Sequence, residues 1–372
     1  MRVLILSSTN GGGHNAAAEA LRETFEAHGE PCRVEDCLSF ISENVSEAIA
    51  KSHCFMYHHA PKLFDTGFRH SQKHPKIFMK RHNTRRMLNL GRRHLGRFIR
   101  DGGYDMVLCT HVFAAIMLTD ARAKYALPVV TGVVETDYTA SPGAQAGNLD
   151  WHFIPAESLR AGLEALGVPR EKIVSSGIPV RDMFYRPADR AAAKKRLGLD
   201  ENGRCLLVMG GSMGAGPVPE LADALSEQLM NGETAVIVCG TNRSLSETLR
   251  AAHGGDRRFV ILDYEEDVAW LMDAADALVT KPGGITVTEA AVKRLPMVLA
   301  NVVAGCEAYN MDFFLKTLGA VTAQTPRQLA RLGVEIMRDD ARRGDMARAL
   351  EPVARANDRE IIWRTMHGVL TN

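Results

Sequence analysis

At 372 residues, with 46% hydrophobic side chains, the chain is long enough for two domains that each bury a core, and too apolar to be disordered. Its 45 Lys and Arg against 44 Asp and Glu give a net charge of +1, which excludes a globally basic nucleic-acid binder but not a local basic patch. Seven scattered cysteines, odd in number and without a CxxC pair, support neither a disulfide framework nor a structural zinc site.

The opening MRVLILSSTNGGGH lacks the charged start, sustained apolar core and cleavage site of a signal peptide. The longest apolar stretch, Met106 to Leu118, is interrupted by Thr110 and His111 and is too short to span a bilayer. A cytosolic chain is expected. Val3–Leu6 reads as a buried parallel strand, followed by glycines 11–13 and a helix with Leu21 and Phe25 on one face and Gly29 at its C-cap. In this strand, glycine loop and helix, His14 opens the helix. A lone histidine is more often structural than catalytic, but here a neutral imidazole can take a proton from an alcohol, and the helix N-terminus opposes a positive charge on the ring.

Cys32–Val34 is the next expected strand. From Lys62 to Arg100, twelve Lys and Arg side chains stand against one acid, Asp65, interleaved with apolar residues such as Phe64, Leu88, Leu95 and Ile99. This is either an ordinary solvated helix face or an amphipathic element that docks on anionic lipid; nucleic-acid binding is a weaker third reading, for want of a stacking or DNA-binding motif. Strands follow at Met106–Cys109, Pro128–Val134 and Asp150–Pro155. Thr110 and His111 end the first of these, and Asp137 in VVETDYTA ends the second on the same rim, where it could orient His14 or an acceptor hydroxyl.

The join is expected within Ile178–Asp200. The pattern then restarts with a strand at Arg204–Met209, a glycine loop at Gly210–Gly216 and a helix over Glu220–Met230, and continues with strands at Thr234–Cys239, Phe259–Leu262, Ala277–Thr280 and Met297–Ala300. Two such series predict an α/β chain of two Rossmann-like, doubly wound domains with a ligand cleft at their strand ends. The loop MGGSMGAG (209–216) is either a plain tight turn or a phosphate cradle of backbone amides; it is not a P-loop, since the GK[ST] ending is absent. In TKPGGITVTEAAVKRLP (280–296), Thr286-x-x-Glu289 reads equally as a capping box in the first helical turn or as a carboxylate for a ribose diol. Two helix-opening glycine loops in one domain favour a nucleotide diphosphate.

These stretches, with CTHVFAA (109–115), DWHFIPAESLRAGLEALGVPREKIVSSGIPVRDMF (150–184) and VTKPGGITVTEAAVKRLPMVLANVVAGCEAYN (279–310), resemble the monogalactosyldiacylglycerol synthase and processive diacylglycerol glucosyltransferase family of GT-B glycosyltransferases. The resemblance implies an N-terminal acceptor domain (1–180) with a membrane-docking segment (62–100), a C-terminal UDP-sugar domain (181–350) and a last helix (351–372) that crosses back. It implies inverting hexosyl transfer from a UDP-sugar to a diacylglycerol-type lipid at the inner face of the cell membrane, without metal or other cofactor and without nucleic acid. His14 would be the base, helped by Asp137, with Gly12, Gly13, Thr110 and His111 lining the acceptor side. UDP would rest on Gly210, Gly211, Ser212, Met213 and Gly214 and on Lys281, Gly283, Gly284, Ile285 and Thr286. Glu289 would hold the ribose, and Glu307 and Asn310 the sugar.

The sequence departs from the family at three places. Ala304-Gly305-Cys306-Glu307 stands where Pro-Gly-Gln-Glu is usual, Thr9 and Asn10 stand where an acid precedes the glycines, and no His–Trp follows the Thr-Asp pair in TDYTASPGAQAGN. Glucose, galactose and N-acetylglucosamine remain open, as do single and processive transfer. The alternatives are a UDP-sugar 2-epimerase, a UDP-N-acetylglucosamine-dependent transferase on another lipid-linked acceptor, a non-catalytic UDP-sugar binder and, with Asp36 as ribose ligand, an NAD-type oxidoreductase.

Overall fold

A computed structural model describes residues 1–8, 12–59, 61–74, 78, 82–300 and 305–368. Gly11, Lys76, Lys80, Arg81 and Ala304 lie outside these, as do the side chains of Lys62, Phe64, Asp65, Phe68 and Lys73. The chain divides into two compact units: Met1–Asp182 with Ala304–Tyr309 and Ala356–Asn372, and Met183–Val303 with Asn310–Arg355.

In the first unit the strands are β1 (Val3–Ser7), β2 (Cys32–Asp36), β3 (Met106–Cys109), β4 (Val130–Val134), β5 (Trp151–Ile154) and β6 (Ile173–Ser175), all parallel in the order β2-β1-β3-β4-β5-β6. The period-2 alternation of β1 splits two cores. Val3 and Ile5 pack with Leu21 and Phe25 of α1 (Gly12–Ala27), while Leu4 and Leu6 face the other side of the sheet. That other side is covered by residues of α2 (Glu43–His59), α4 (Asn83–Leu88), α5 (Arg92–Gly102) and α6 (Val112–Tyr125), while α3 (Pro61–Lys73) packs on α2. Each fully buried Leu or Phe in these layers contributes about 2 kcal/mol. Gly103, at φ 61°, ends α5 in the left-handed conformation. β6 was not expected from the sequence, because it has three residues and only Ile173 is buried.

The basic segment is mostly explained by this packing. Leu88, Leu95 and Ile99 are fully buried in the core. Arg85, which the sequence groups with the exposed cations, is buried instead: its guanidinium donates to both oxygens of Asp120 at 2.8 and 2.6 Å, and to the carbonyls of Phe78 and Ala146. Arg86, Arg93 and Arg97 do face solvent; Leu90, between them in sequence, and Leu63 of α3 are exposed as well.

After α7 (Arg160–Ala165), α8 (Asp182–Tyr185) and α9 (Arg190–Arg196), the second unit builds β7 (Arg204–Met209), β8 (Glu233–Val238), β9 (Phe259–Leu262), β10 (Ala277–Thr280), β11 (Met297–Ala300) and β12 (Ala320–Ala323). They form a parallel sheet in the order β12-β11-β10-β7-β8-β9. Its helices are α10 (Val218–Ser226), α11 (Arg243–His253), α12 (Ala269–Ala274), α13 (Gly284–Val292), α14 (Glu307–Lys316), α15 (Pro326–Arg338) and α16 (Asp340–Ala356). α10 starts two residues earlier than its leucine spacing predicts and stops before Met230. Thr325 and Gln328 form a capping box at α15. The last helix, α17 (Arg359–Gly368), packs on α1 and β4, with Ile362 and Met366 in the first unit's core and Trp363 stacked 3.8 Å from His28.

Candidate functional site

Both sheets reverse their winding direction once, between β1 and β3 in the first unit and between β7 and β10 in the second. At such a reversal the loops leave in opposite directions and open a crevice at the carboxyl ends of the strands. The loops singled out in the sequence stand at these two places.

In the first unit, Gly12 and Gly13 are the first residues of α1 and His14 the third. The helix start is tied to the sheet by Ser7, whose Oγ donates to Asn15 Oδ1 at 2.5 Å. Nδ1 of His14 lies 2.9 Å from the carbonyl of Thr110 and 2.9 Å from Oγ1 of Thr136. A carbonyl can only accept, so Nδ1 carries the hydrogen and the ring's lone pair is on Nε2. His111 stands edge-on to His14 at 4.6 Å between centroids. It caps α6, its Nδ1 accepting from the backbone N–H of Phe113 at 3.1 Å. Its own hydrogen therefore sits on Nε2, the complement of His14.

Asp137 follows Thr136 on the same rim and is half-buried. Nδ1 of His14 is thus held by the hydroxyl of Thr136, which the sequence did not single out, and by the backbone carbonyl of Thr110, a residue the sequence placed on the acceptor side without this contact. Glu135 was also overlooked. It is buried at the end of β4, its carboxylate accepting from Oγ and the backbone N–H of Ser141. Burial, with the nearby Asp137 charge adding to it, pushes its pKa up to about 7 against the two Ser141 hydrogen bonds, which lower it. A carboxylate directly after the apolar run Gly132-Val133-Val134 was the signal available.

In the second unit, Gly210–Gly214 forms a turn closed by Gly214 N–H to Gly211 O and Ala215 N–H to Gly210 O. It interlocks with the loop after β8. Gly214 is at φ 58°, and a Cβ there would lie 2.1 Å from the carbonyl of Cys239; Gly240 is at φ 61°, and a Cβ there would lie 2.4 Å from that of Ser212. Only glycine fits at either position. Thr241 donates to Ser212 O through N–H (2.9 Å) and Oγ1 (3.1 Å). Thr241 and Asn242 brace the turn, a role the sequence did not reveal. Ser212 is exposed and Met213 half-buried.

The partner loop begins where Thr280 Oγ1 donates to Met209 O at 2.9 Å, pinning β10 to β7. Lys281 then lies across Gly211, and a narrow crevice lined by Met209, Ala215, Gly216, Thr280 and Lys281 separates the loops. Gly283 caps α13 without a side-chain bond, so Gly284, Ile285 and Thr286 present the first amides of the helix. This overturns the capping-box reading: Thr286 is the third helical residue and Glu289 the sixth, in the second turn rather than the first. Glu289 is a buried carboxylate, not a cap. Asn310, fully buried, donates to Pro282 O at 3.0 Å and fixes this loop from α14; Glu307, also buried, is the first residue of that helix. Among the described residues no three His, Cys, Asp or Glu side chains form a set that could hold a metal ion.

Residues 14–180 match the model of the monogalactosyldiacylglycerol (MGDG) synthase family, and residues 205–356 match the glycosyltransferase family 28 C-terminal domain. The first unit is thus similar to the MGDG synthase family, and the second to the family 28 C-terminal domain. It is 26% identical over 372 residues to a processive diacylglycerol beta-glucosyltransferase of Bacillus subtilis (strain 168), covering 97% of this chain and 93% of that one. The backbone is similar to that of Acinetobacter baumannii MurG (TM-score 0.62, 15% identity, 100% and 99% covered) and of Anabaena Alr3699/HepE in complex with UDP (TM-score 0.60, 15% identity, 100% of both). The chain therefore has the GT-B fold that the resemblance implied, built from the two doubly wound units that its glycine-loop series predicted.

Proposed function

We propose that this chain transfers a hexose from a UDP-sugar to a diacylglycerol-type lipid, in one inverting displacement that needs no metal. The observation that carries the reading is the tautomer of His14: with Nδ1–H held by Thr110 and Thr136, Nε2 is the base at the rim of the first sheet. Nε2 takes the proton of the acceptor hydroxyl as its oxygen attacks the anomeric carbon; the bond from that carbon to the diphosphate breaks and its electron pair leaves on UDP. Amides of the Gly210–Gly214 turn and the start of α13, with the Lys281 ammonium, offset the charge of the leaving diphosphate. Asp137 assists His14, Gly12, Gly13 and His111 line the acceptor side, and Glu289 takes the ribose diol. The name of the Bacillus relative specifies a beta-glucoside, the anomer that one displacement gives from an α-linked donor.

The chain works at the surface of an anionic membrane on its cytoplasmic side. Arg93 and Arg97, one turn apart on α5, and Arg86 supply on the order of 1 kcal/mol each near such a surface, with Leu63 and Leu90 exposed to enter it. Among the described residues no helix is long and apolar enough to cross a membrane.

The test is UDP release from a panel of UDP-sugars, with chelator, with and without anionic vesicles containing diacylglycerol. Release that needs one UDP-sugar and diacylglycerol together supports the reading and names the donor. Equal release without lipid overturns the lipid acceptor in favour of hydrolysis, epimerisation or a soluble acceptor.

A further inference from the structure

The residues Glu135–Ser141 form a strap that leaves β4 and returns on itself. At its start, the Glu135 backbone N–H donates to Phe153 O at 2.9 Å, which fixes the strap to β5. At its end, Ser141 donates through both N–H and Oγ to the one Glu135 carboxylate oxygen, Oε2. Between these anchors stands Thr136, whose hydroxyl meets Nδ1 of His14. The strap bears Asp137 as well, the charged group acting on Glu135, while His14 and His111 lie beyond Thr136.

A buried carboxylate beside a second acid is a costly way to close a seven-residue turn, since a neutral acceptor would close it without desolvating a charge. What the carboxylate adds is a rigid, two-pronged bond whose strength depends on its ionisation. We propose that Glu135 is a positioning residue for the acceptor-activating imidazole: its clamp on Ser141 fixes the strap, and with it the Thr136 hydroxyl, against Nδ1 of His14. The inference rests on the reading of His14 as the base. It assigns to Glu135 and Ser141 no contact with substrate. Ionisation of the clamp near neutrality then tightens the hold on His14 and places a negative charge behind an imidazole that becomes positive during transfer.

Two measurements on the full chain test this, one of which needs no substrate. The C2–H resonance of His14, assigned with His14→Gln, is titrated by NMR in the wild type and in Glu135→Gln, Ser141→Ala and Ser141→Thr. In the wild type it should show a second inflection near pH 7, lost in Glu135→Gln. Ser141→Ala should displace the His14 titration, and Ser141→Thr, which keeps the hydroxyl, should restore it. In turnover, Ser141→Ala should lower kcat roughly tenfold, within the range expected when a catalytic group is slightly misplaced, with KM for the UDP-sugar unchanged. Glu135→Gln should flatten the kcat profile around pH 7.

Superimposable His14 titrations in all four proteins would overturn the proposal and leave Glu135 a packing residue. A His14 titration that responds in a protein inert toward every UDP-sugar would instead overturn the transferase reading and leave the clamp standing. Should Ser141→Ala not fold, as judged by circular dichroism, Glu135→Gln against Ser141→Thr gives the same decision.

Discussion

The side chain of Lys281 lies across Gly211: a Cβ on that glycine would sit 2.7 Å from Lys281 Cε. The absence of a side chain at one loop thus creates the berth for the cation of the other. Gly211→Ala should displace the lysine and strain a backbone at φ 71°. UDP affinity, measured by calorimetry, is expected to fall roughly tenfold, as for loss of one charge-assisted hydrogen bond. Lys281→Met should weaken UDP to a similar degree and flatten the salt dependence of binding.

At the other site, Thr136→Val removes the hydroxyl while keeping the shape. With the Thr110 carbonyl still in place, Nδ1 keeps its hydrogen, so the expected loss in kcat is partial, roughly ten- to a hundredfold. His14→Ala removes the base and should cost about a hundred- to ten-thousandfold in sugar transfer. UDP binding should be untouched in both variants, and a fall in UDP affinity would remove His14 from the role assigned to it.

The raised pKa of Glu135 makes a prediction for stability. Between its ordinary value and about 7 the folded chain holds a proton that the unfolded chain has lost. The contribution of this group is therefore fully favourable at low pH and is lost as pH rises through 7. Glu135→Gln should gain stability relative to the wild type on going from pH 5 to pH 8, by at most about 3 kcal/mol. Denaturant midpoints at the two pH values measure it, and a pH-independent difference would contradict the buried ionisation.

Arg85 and the exposed arginines look alike in sequence but differ in their packing. Arg85→Ala leaves the half-buried Asp120 without its partner and should destabilise the chain by about 3 kcal/mol. Arg93→Glu with Arg97→Glu should leave the denaturation midpoint nearly unchanged while reducing sedimentation with anionic vesicles. Vesicle binding that is indifferent to the double substitution would dismiss the docking face.

The sequence displayed those parts of the fold that rest on local pattern. β1, β7 and β10 are apolar runs ended by a polar residue or a glycine, and their boundaries follow from that alone. β6 and β12 were missed because each buries only its first residue and carries no alternation. Thr286-x-x-Glu289 misled because a helix can begin on a glycine with no side-chain cap, so the most cap-like sequence lay one turn too late. His14, Lys281 and the two glycine turns were legible as rim residues. Their partners were not, since a Thr110 carbonyl 96 residues from His14 belongs to no motif.

One helix joins the imidazole pair to the buried arginine. α6 begins at the cap formed by His111, edge-on to His14, and nine residues on it presents Asp120 to Arg85. At 1.5 Å per residue the two points are about 13 Å apart along a single rod. A shift of Arg85 is therefore carried to the imidazole pair along a stiff axis instead of dissipating in a loop.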